Sequence, residues 1–310
     1  MKENTKSTDL LRELEPVVAN ELNRHDKAMK IWYPHNYVPW TDGKNFAYLD
    51  GEDWEITQSK LGKAARAAMY VNLLTEDNLP SYHREISTVF GRDSAWGTWV
   101  DRWTAEEGKH SIAMRDFLIV TRAIDPVNLE IARMQQVTGG YDSGNKTPLE
   151  AVAYVTMQEL ATRIAHRNTG LECKKDGDEI ADRLLGRIAM DENLHMLFYR
   201  NIGTKAFEID PNQMMKAVTK EIGSFQMPGS ATIPEFWENA NIIADAEIYD
   251  MNLHVNKVVK PILDHWKVFD REDISGEGSA ARDKLAKIVA KLESISESII
   301  NQKNSQRIDT

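Results

Sequence analysis

One cysteine, Cys173, in 310 residues excludes an intrachain disulfide and fits a reducing compartment. It has no evident base beside it and reads as a bystander. No apolar run reaches the roughly 18 residues of a membrane-spanning helix. Residues 1–6 lack the hydrophobic segment of a secretory signal. Basic residues are in the minority, 38 Lys and Arg against 48 Asp and Glu, and the net charge of −10 argues against nonspecific nucleic-acid binding. Strand-like alternation is missing, and so is any linker biased enough to divide domains. These absences describe a cytoplasmic, all-α protein with one domain over residues 1–310. The first seven residues and 301–310 are expected to be flexible.

What is present is helix, almost throughout. Apolar periodicity predicts helices over 8–30, 56–89, 93–122, 126–138, 148–172, 177–203, 210–224, 234–247, 249–268 and 279–300. Pro34, Pro39 and Asp42-Gly43 punctuate a loop after the first helix. Residues 139–144 and Pro228-Gly229 mark two more, and Asp210-Pro211 a helix start.

Two motifs carry the chemistry, Glu107-x-x-His110 and Glu192-x-x-His195. Each follows a lone glutamate: Glu76 lies 31 residues before Glu107, and Glu159 lies 33 before Glu192. Residues three apart on a helix share a face, so each motif aims a carboxylate and an imidazole the same way. One Glu from each of two helices and Glu-x-x-His from each of two others is the ligand recipe of ferritin-like di-iron bundles. The preceding turns are mostly apolar: Leu73 and Met69 before Glu76, Trp103 and Val100 before Glu107, Val155 and Val152 before Glu159, Ile188 and Leu185 before Glu192. All four glutamates therefore point into a core, where an unpaired carboxylate is costly. Two ferrous ions would balance four carboxylates, with neutral histidines completing the shell. Glu–Arg pairing through Arg163 or Arg187 is the structural alternative, but it leaves the repeat unexplained.

Longer strings make the resemblance specific. Thr75-Glu76-Asp77-Asn78-Leu79-Pro80-Ser81-Tyr82, Trp103-Thr104-Ala105-Glu106-Glu107-x-x-His110, Gln158-Glu159-x-Ala161-Thr162 and Asp191-Glu192-x-x-His195 resemble the soluble acyl-acyl carrier protein desaturases. So do Trp32-x-Pro34, Phe207-Glu208-Ile209-Asp210-Pro211 and Trp266-Lys267-Val268. The match runs from about residue 30 to 295. The resemblance implies a ferritin-like four-helix core with flanking helices. It also implies a pair of iron ions held by Glu76, Glu107, His110, Glu159, Glu192 and His195, with dioxygen as co-substrate. By the same carry-over, Thr162 takes the family's hydroxyl position beside the irons. Asp191 and Trp32 match a proposed electron path through His110. Asp191 and Glu106 are also placed to accept from the histidine of the opposite motif.

The implied reaction places a cis double bond in a fatty acyl chain carried on acyl carrier protein, with electrons from a ferredoxin-like donor and a homodimer as the assembly. Trp99, Trp103, Met114 and Phe117 are candidates to line the acyl slot. His83, Arg84 and Glu85 depart from the apolar lining of plant relatives and bear on chain length and double-bond position. Lys60, Lys63 and Arg66, or Lys216 and Lys220, are candidate docking patches for acidic partners. His166, seven residues after Glu159, is spaced to approach the site, though the favoured reading is a core or surface histidine; His25, His35, His254 and His265 read as structural. Three alternatives share the ligands: a di-iron hydroxylase or N-oxygenase, a non-catalytic iron-binding protein, and a ribonucleotide reductase small subunit. Glu76 argues against the last, which typically uses Asp there.

Overall fold

The computed structural model describes residues 2–308, and among them there are helices and no strand. The order is α1 (Lys2–Ala28), four short 3-10 turns between residues 34 and 58, α2 (Lys63–Glu76), α3 (Leu79–Phe90), α4 (Ser94–Val120), α5 (Pro126–Gly139), α6 (Pro148–Lys175), α7 (Glu179–Ile209), α8 (Pro211–Gly223), α9 (Phe236–Asp245), α10 (Met251–Leu253), a π segment (His254–Val259), α11 (Lys260–His265) and α12 (Gly276–Ile308). Helix thus covers most of the ends expected to be flexible; Met1 and residues 309–310 of those ends lie outside the described residues.

The starts follow local chemistry. Thr147 and Glu150 form a reciprocal capping box with Pro148 at the first helical position of α6. Asp178 accepts from the backbone N–H groups of Ile180 and Ala181 at the start of α7.

Two expected helices are interrupted. The stretch 56–89 is a 3-10 turn, α2 and α3. Pro80 has no N–H to donate to the Glu76 carbonyl one turn back, so the helix ends at Glu76 and restarts. Arg133 of α5 pins the break through Asp77 at 2.8 Å. The stretch 249–268 contains the π segment just before Pro261, which also lacks the N–H that an unbroken ladder needs.

Helices α2, α4, α6 and α7 form the ferritin-like core, with α1 against α4 and α7, α9 against α2, and α8 and α12 packed together beyond α6. Both α4 and α7 run from one hydrophobic cluster to another. Trp96, Trp99 and Trp103 of α4 and Phe198 and Tyr199 of α7 belong to one; Met114 and Phe117 of α4 and Leu185 and Ile188 of α7 belong to the other. The charged residues of the two motifs sit between them.

Candidate metal centre

Glu76 is the last residue of α2, Glu159 lies mid-way along α6, and the two Glu-x-x-His motifs occupy the middles of α4 and α7. All six side chains are buried, the two histidines completely. His110 Nδ1 lies 3.2 Å from both Glu107 Oε2 and Glu192 Oε1, and 3.8 Å from Glu76 Oε2. His195 Nδ1 lies 2.8 Å from Glu107 Oε1 and 3.4 Å from Glu159 Oε2. Two overlapping sets result, Glu76–Glu107–His110–Glu192 and Glu107–Glu159–Glu192–His195, each able to place its ligand atoms within 4.8 Å of one another. Glu107 and Glu192 belong to both.

The ligand atoms converge on one another within the core. Glu107 Oε1, Glu159 Oε2, Glu192 Oε1, His110 Nδ1 and His195 Nδ1 are buried and make no hydrogen bond. Five such atoms gathered at one place, all of them metal-ligating types, are suited to an ion. Burial, reinforced by the Glu192 and Glu76 charges, pushes the Glu107 carboxyl up to about 7. Burial and Glu192 hold Glu159 well above the usual carboxylate range. Burial also opposes charge on Glu76, but His110 and His166 outweigh it and hold that carboxyl down. For both histidines burial works against the proton and the surrounding carboxylates prevail, raising them. Four carboxylates and two imidazoles without thiolate suit divalent iron, manganese or zinc. The cluster therefore fits a pair of divalent cations.

Partners behind the histidines fix their orientation. Asp191 Oδ2 lies 3.5 Å from His110 Nε2, accepts from Trp32 Nε1 at 2.6 Å, and Asp191 also pairs with Arg187. Trp32 stacks parallel to His110 with ring centres 6.2 Å apart. On the other motif Glu106 Oε2 lies 3.0 Å from His195 Nε2 and 3.0 Å from His25 Nε2. The ring nitrogen pointing away from the cluster thus meets a carboxylate in both cases, which leaves Nδ1 free to bind a cation. Trp103 Nε1 donates to Glu159 Oε1 at 3.0 Å. The Thr162 hydroxyl reaches Glu192 Oε2 at 2.8 Å and, as a helical back-bond, the carbonyl of Glu159 at 3.0 Å.

The less favoured reading of His166 holds, and two further partners were not read from the sequence. His166 is no bystander: its Nε2 lies 2.8 Å from Glu76 Oε1. The signal was available, because seven residues from Glu159 is two turns on the same face. His25, expected to be only structural, is buried against Glu106, and no local pattern links residues 81 apart. Arg187 pairs with Asp191 rather than with a glutamate of the cluster, and Arg163 is exposed.

A pocket, partly open to solvent, ends on Glu76 and Glu107. Ile86, Val89, Trp103, Ala151, Val155 and Pro228 make most of its apolar wall. Of the four residues expected to line it, only Trp103 does. Trp99 is stacked on Phe198, and Met114 and Phe117 are sealed in the second hydrophobic cluster. Glu85 does reach the wall and accepts from the Ser143 hydroxyl at 2.6 Å. His83 turns away to Thr104, and Arg84 lies on the surface. Of the basic patches, Lys216 is engaged by Glu277 and Lys220 by Glu150; Arg66 donates to the Leu61 carbonyl, and Lys60 and Lys63 are exposed.

The fold and this cluster define the class: a ferritin-like helical bundle with a carboxylate–imidazole centre able to hold two metal ions. The family model described as fatty acid desaturase matches residues 6–310. The chain belongs to that family. It is 50% identical over 300 residues to a Mycobacterium tuberculosis protein provisionally named acyl-acyl carrier protein desaturase DesA1, covering 94% of this chain and 88% of the relative. It is 29% identical over 284 residues to the Arabidopsis thaliana chloroplastic stearoyl-acyl carrier protein 9-desaturase 6, covering 86% of this chain and 72% of that protein. An X-ray structure of the provisionally named acyl carrier protein desaturase DesA2 from M. tuberculosis H37Rv superposes with a TM-score of 0.71 at 30% identity, over 84% of this chain and 95% of that one. No helix among the described residues is long and apolar enough to cross a membrane.

Proposed function

We propose that the protein is a di-iron, dioxygen-dependent desaturase of fatty acyl chains carried on acyl carrier protein, serving fatty acid biosynthesis. The observation that carries this reading is the meeting of the apolar cavity with the buried ligand cluster at Glu76 and Glu107. An alkyl chain in that cavity offers only methylene groups, so nothing but an oxidant generated at the cluster would find chemistry there.

In this reading Glu76, Glu107, His110 and Glu192 hold one iron, and Glu107, Glu159, Glu192 and His195 the other. When bound, the iron pair supplies the activation of dioxygen needed to take hydrogen from an unactivated methylene. A saturated –CH2–CH2– segment, dioxygen, two electrons and two protons become –CH=CH– and two waters. The chain's own residues set the conditions. The apolar wall excludes water and holds the alkyl chain against Glu76 and Glu107. Asp191 and Glu106 fix the imidazoles. The Thr162 hydroxyl holds a proton at Oγ1 beside Glu192 Oε2. Trp32, Asp191 and His110 form a stacked, hydrogen-bonded path for the two electrons. The family implies a ferredoxin-like donor, a homodimer and a cytoplasmic setting. The acidic chain would meet an acidic carrier protein through local cations, and Lys60 and Lys63 are free to serve.

The test is turnover of iron-loaded protein with ferredoxin, its reductase, dioxygen and a panel of acyl carrier protein thioesters, read by mass spectrometry. A product lighter by two hydrogens supports the reading. A product heavier by one oxygen moves the assignment to a hydroxylase, and no product from protein with a full iron complement refutes it.

A further inference from the structure

A second cavity reaches the cluster from another direction. It is partly open to solvent, lies between α2, α6 and α9, and shares only Thr75 and Glu76 with the first. Its wall is mostly apolar, made by Val71, Ala165, Met227, Phe236, Ala240 and Ile243, with Tyr249, whose hydroxyl pairs with His254 at 2.9 Å. Its floor is Asn72, Glu76, Thr162 and His166. The floor groups are mostly engaged by protein. His166 bonds to Glu76 at 2.8 Å, Asn72 donates to Thr169 at 3.2 Å, and Thr162 reaches Glu192 at 2.8 Å. None of their side-chain atoms is among the buried polar groups without a partner, in contrast to the cluster atoms themselves. A buried water needs two to four polar partners, and apolar cavities that lack them stay dry and take up apolar guests such as xenon. The α9 side of this cavity, Phe236, Ala240 and Ile243, offers water no polar side chain, and the polar boundary lies at the cluster.

We propose that it is the access and holding site for dioxygen, separate from the acyl slot. The inference rests on the desaturase reading above. An alkyl chain filling the first cavity covers Thr75 and Glu76 from that side, so the gas must approach past the chain or by a different path. Dioxygen is small, uncharged and more soluble in apolar media than in water. The wall of Val71, Ala165, Ala240 and Ile243 suits it, and the floor delivers it beside Glu76 and the Thr162 hydroxyl. Ala165 and Ala240 are the smallest side chains of the wall and set its width.

Two measurements test this. Crystals of the full chain pressurised with xenon, an apolar stand-in that needs no iron in the protein, should show xenon between Ala165, Ala240 and Ile243. Ala240→Phe and Ala165→Leu, which fill the space, should abolish that site. In iron-loaded protein they should slow oxidation of the reduced centre by dioxygen several-fold and raise KM for dioxygen, with KM for the acyl substrate unchanged. Ordered water in place of xenon in the wild-type cavity would overturn the proposal. Wild-type oxidation rates in both filling variants would overturn it too, as would density for an acyl chain running into this cavity. Failure of the desaturase reading would look different: iron-loaded, xenon-binding protein would consume dioxygen without yielding an alkene.

Discussion

Because Glu107 and Glu192 belong to both ligand sets whereas Glu76 and Glu159 belong to one each, single substitutions should have unequal effects on metal content. Glu192→Gln keeps side-chain shape but replaces a carboxylate that serves both sets, leaving three strong ligands in each. Glu159→Gln leaves three in the His195 set and all four in the His110 set. Binding free energies of about 10–16 kcal/mol for a four-ligand divalent site correspond to roughly 3 kcal/mol per ligand. That is about a hundredfold in Kd for each set that loses one. Titration of metal-free protein with ferrous or cobaltous ion under argon, followed by equilibrium dialysis and elemental analysis, should show two weakened sites in Glu192→Gln. Glu159→Gln should show one weakened and one wild-type site. Optical and magnetic signatures of coupling between the ions should persist in Glu159→Gln at saturating metal and be reduced in Glu192→Gln. Equal weakening of both sites by Glu159→Gln would refute the shared-carboxylate reasoning. So would two wild-type sites in Glu192→Gln.

The metal-free protein should respond to pH in a defined direction. Burial raises Glu107 from an ordinary 4.5 to about 7, so its ionisation costs the fold about 3 kcal/mol, a penalty that grows between those two values. The proton on His110 and His195, held by the carboxylates, stabilises below the ordinary histidine value and that contribution is lost as pH rises. Both trends lower the unfolding temperature of metal-free protein from about pH 5 to about pH 8, and calorimetry with and without metal should show the loss only in the metal-free form. Replacing Trp32 with Phe removes the 2.6 Å hydrogen bond to Asp191, and metal content should hold while reduction of the loaded centre by ferredoxin slows; unchanged reduction kinetics would discard the path. At Gly203 of α7 an added Cβ would sit 2.5 Å from Trp266, so Gly203→Ala should cost about 1–3 kcal/mol in denaturant unfolding with little change in metal stoichiometry.

The six residues of the cluster were legible because the pattern that unites them is local. Glu-x-x-His on an apolar stripe fixes a direction within three residues, and the structure needs only to bring four such stripes together. The start of α8 was equally readable from Asp210-Pro211. The break after Glu76 was missed because apolar periodicity continues across it, although Pro80 carried the signal. The hollow side of the bundle was not legible at all. Trp99, Trp103, Met114 and Phe117 share the same periodicity, yet one faces the cavity and three are solid core; whether a stripe packs or lines space depends on the partner helix. Likewise nothing in the sequence near His25 links it with Glu106.

These long-range partners have an energetic consequence. Between two hydrophobic clusters the protein buries Glu76, Glu107, Glu159 and Glu192, and leaves five of the cluster's atoms without hydrogen bonds. The partners behind the histidines are fully engaged, with Asp191 held by Trp32 and Arg187 and Glu106 held by His25. The ligand geometry is thus stiffened from outside, while inside it four carboxylates share two imidazoles and the cluster stays short of positive charge. Holding the carboxylates together costs stability in the metal-free chain, and a divalent pair recovers it on binding. That coupling is why metal content, rather than activity alone, is the sensitive measure of every substitution in this core.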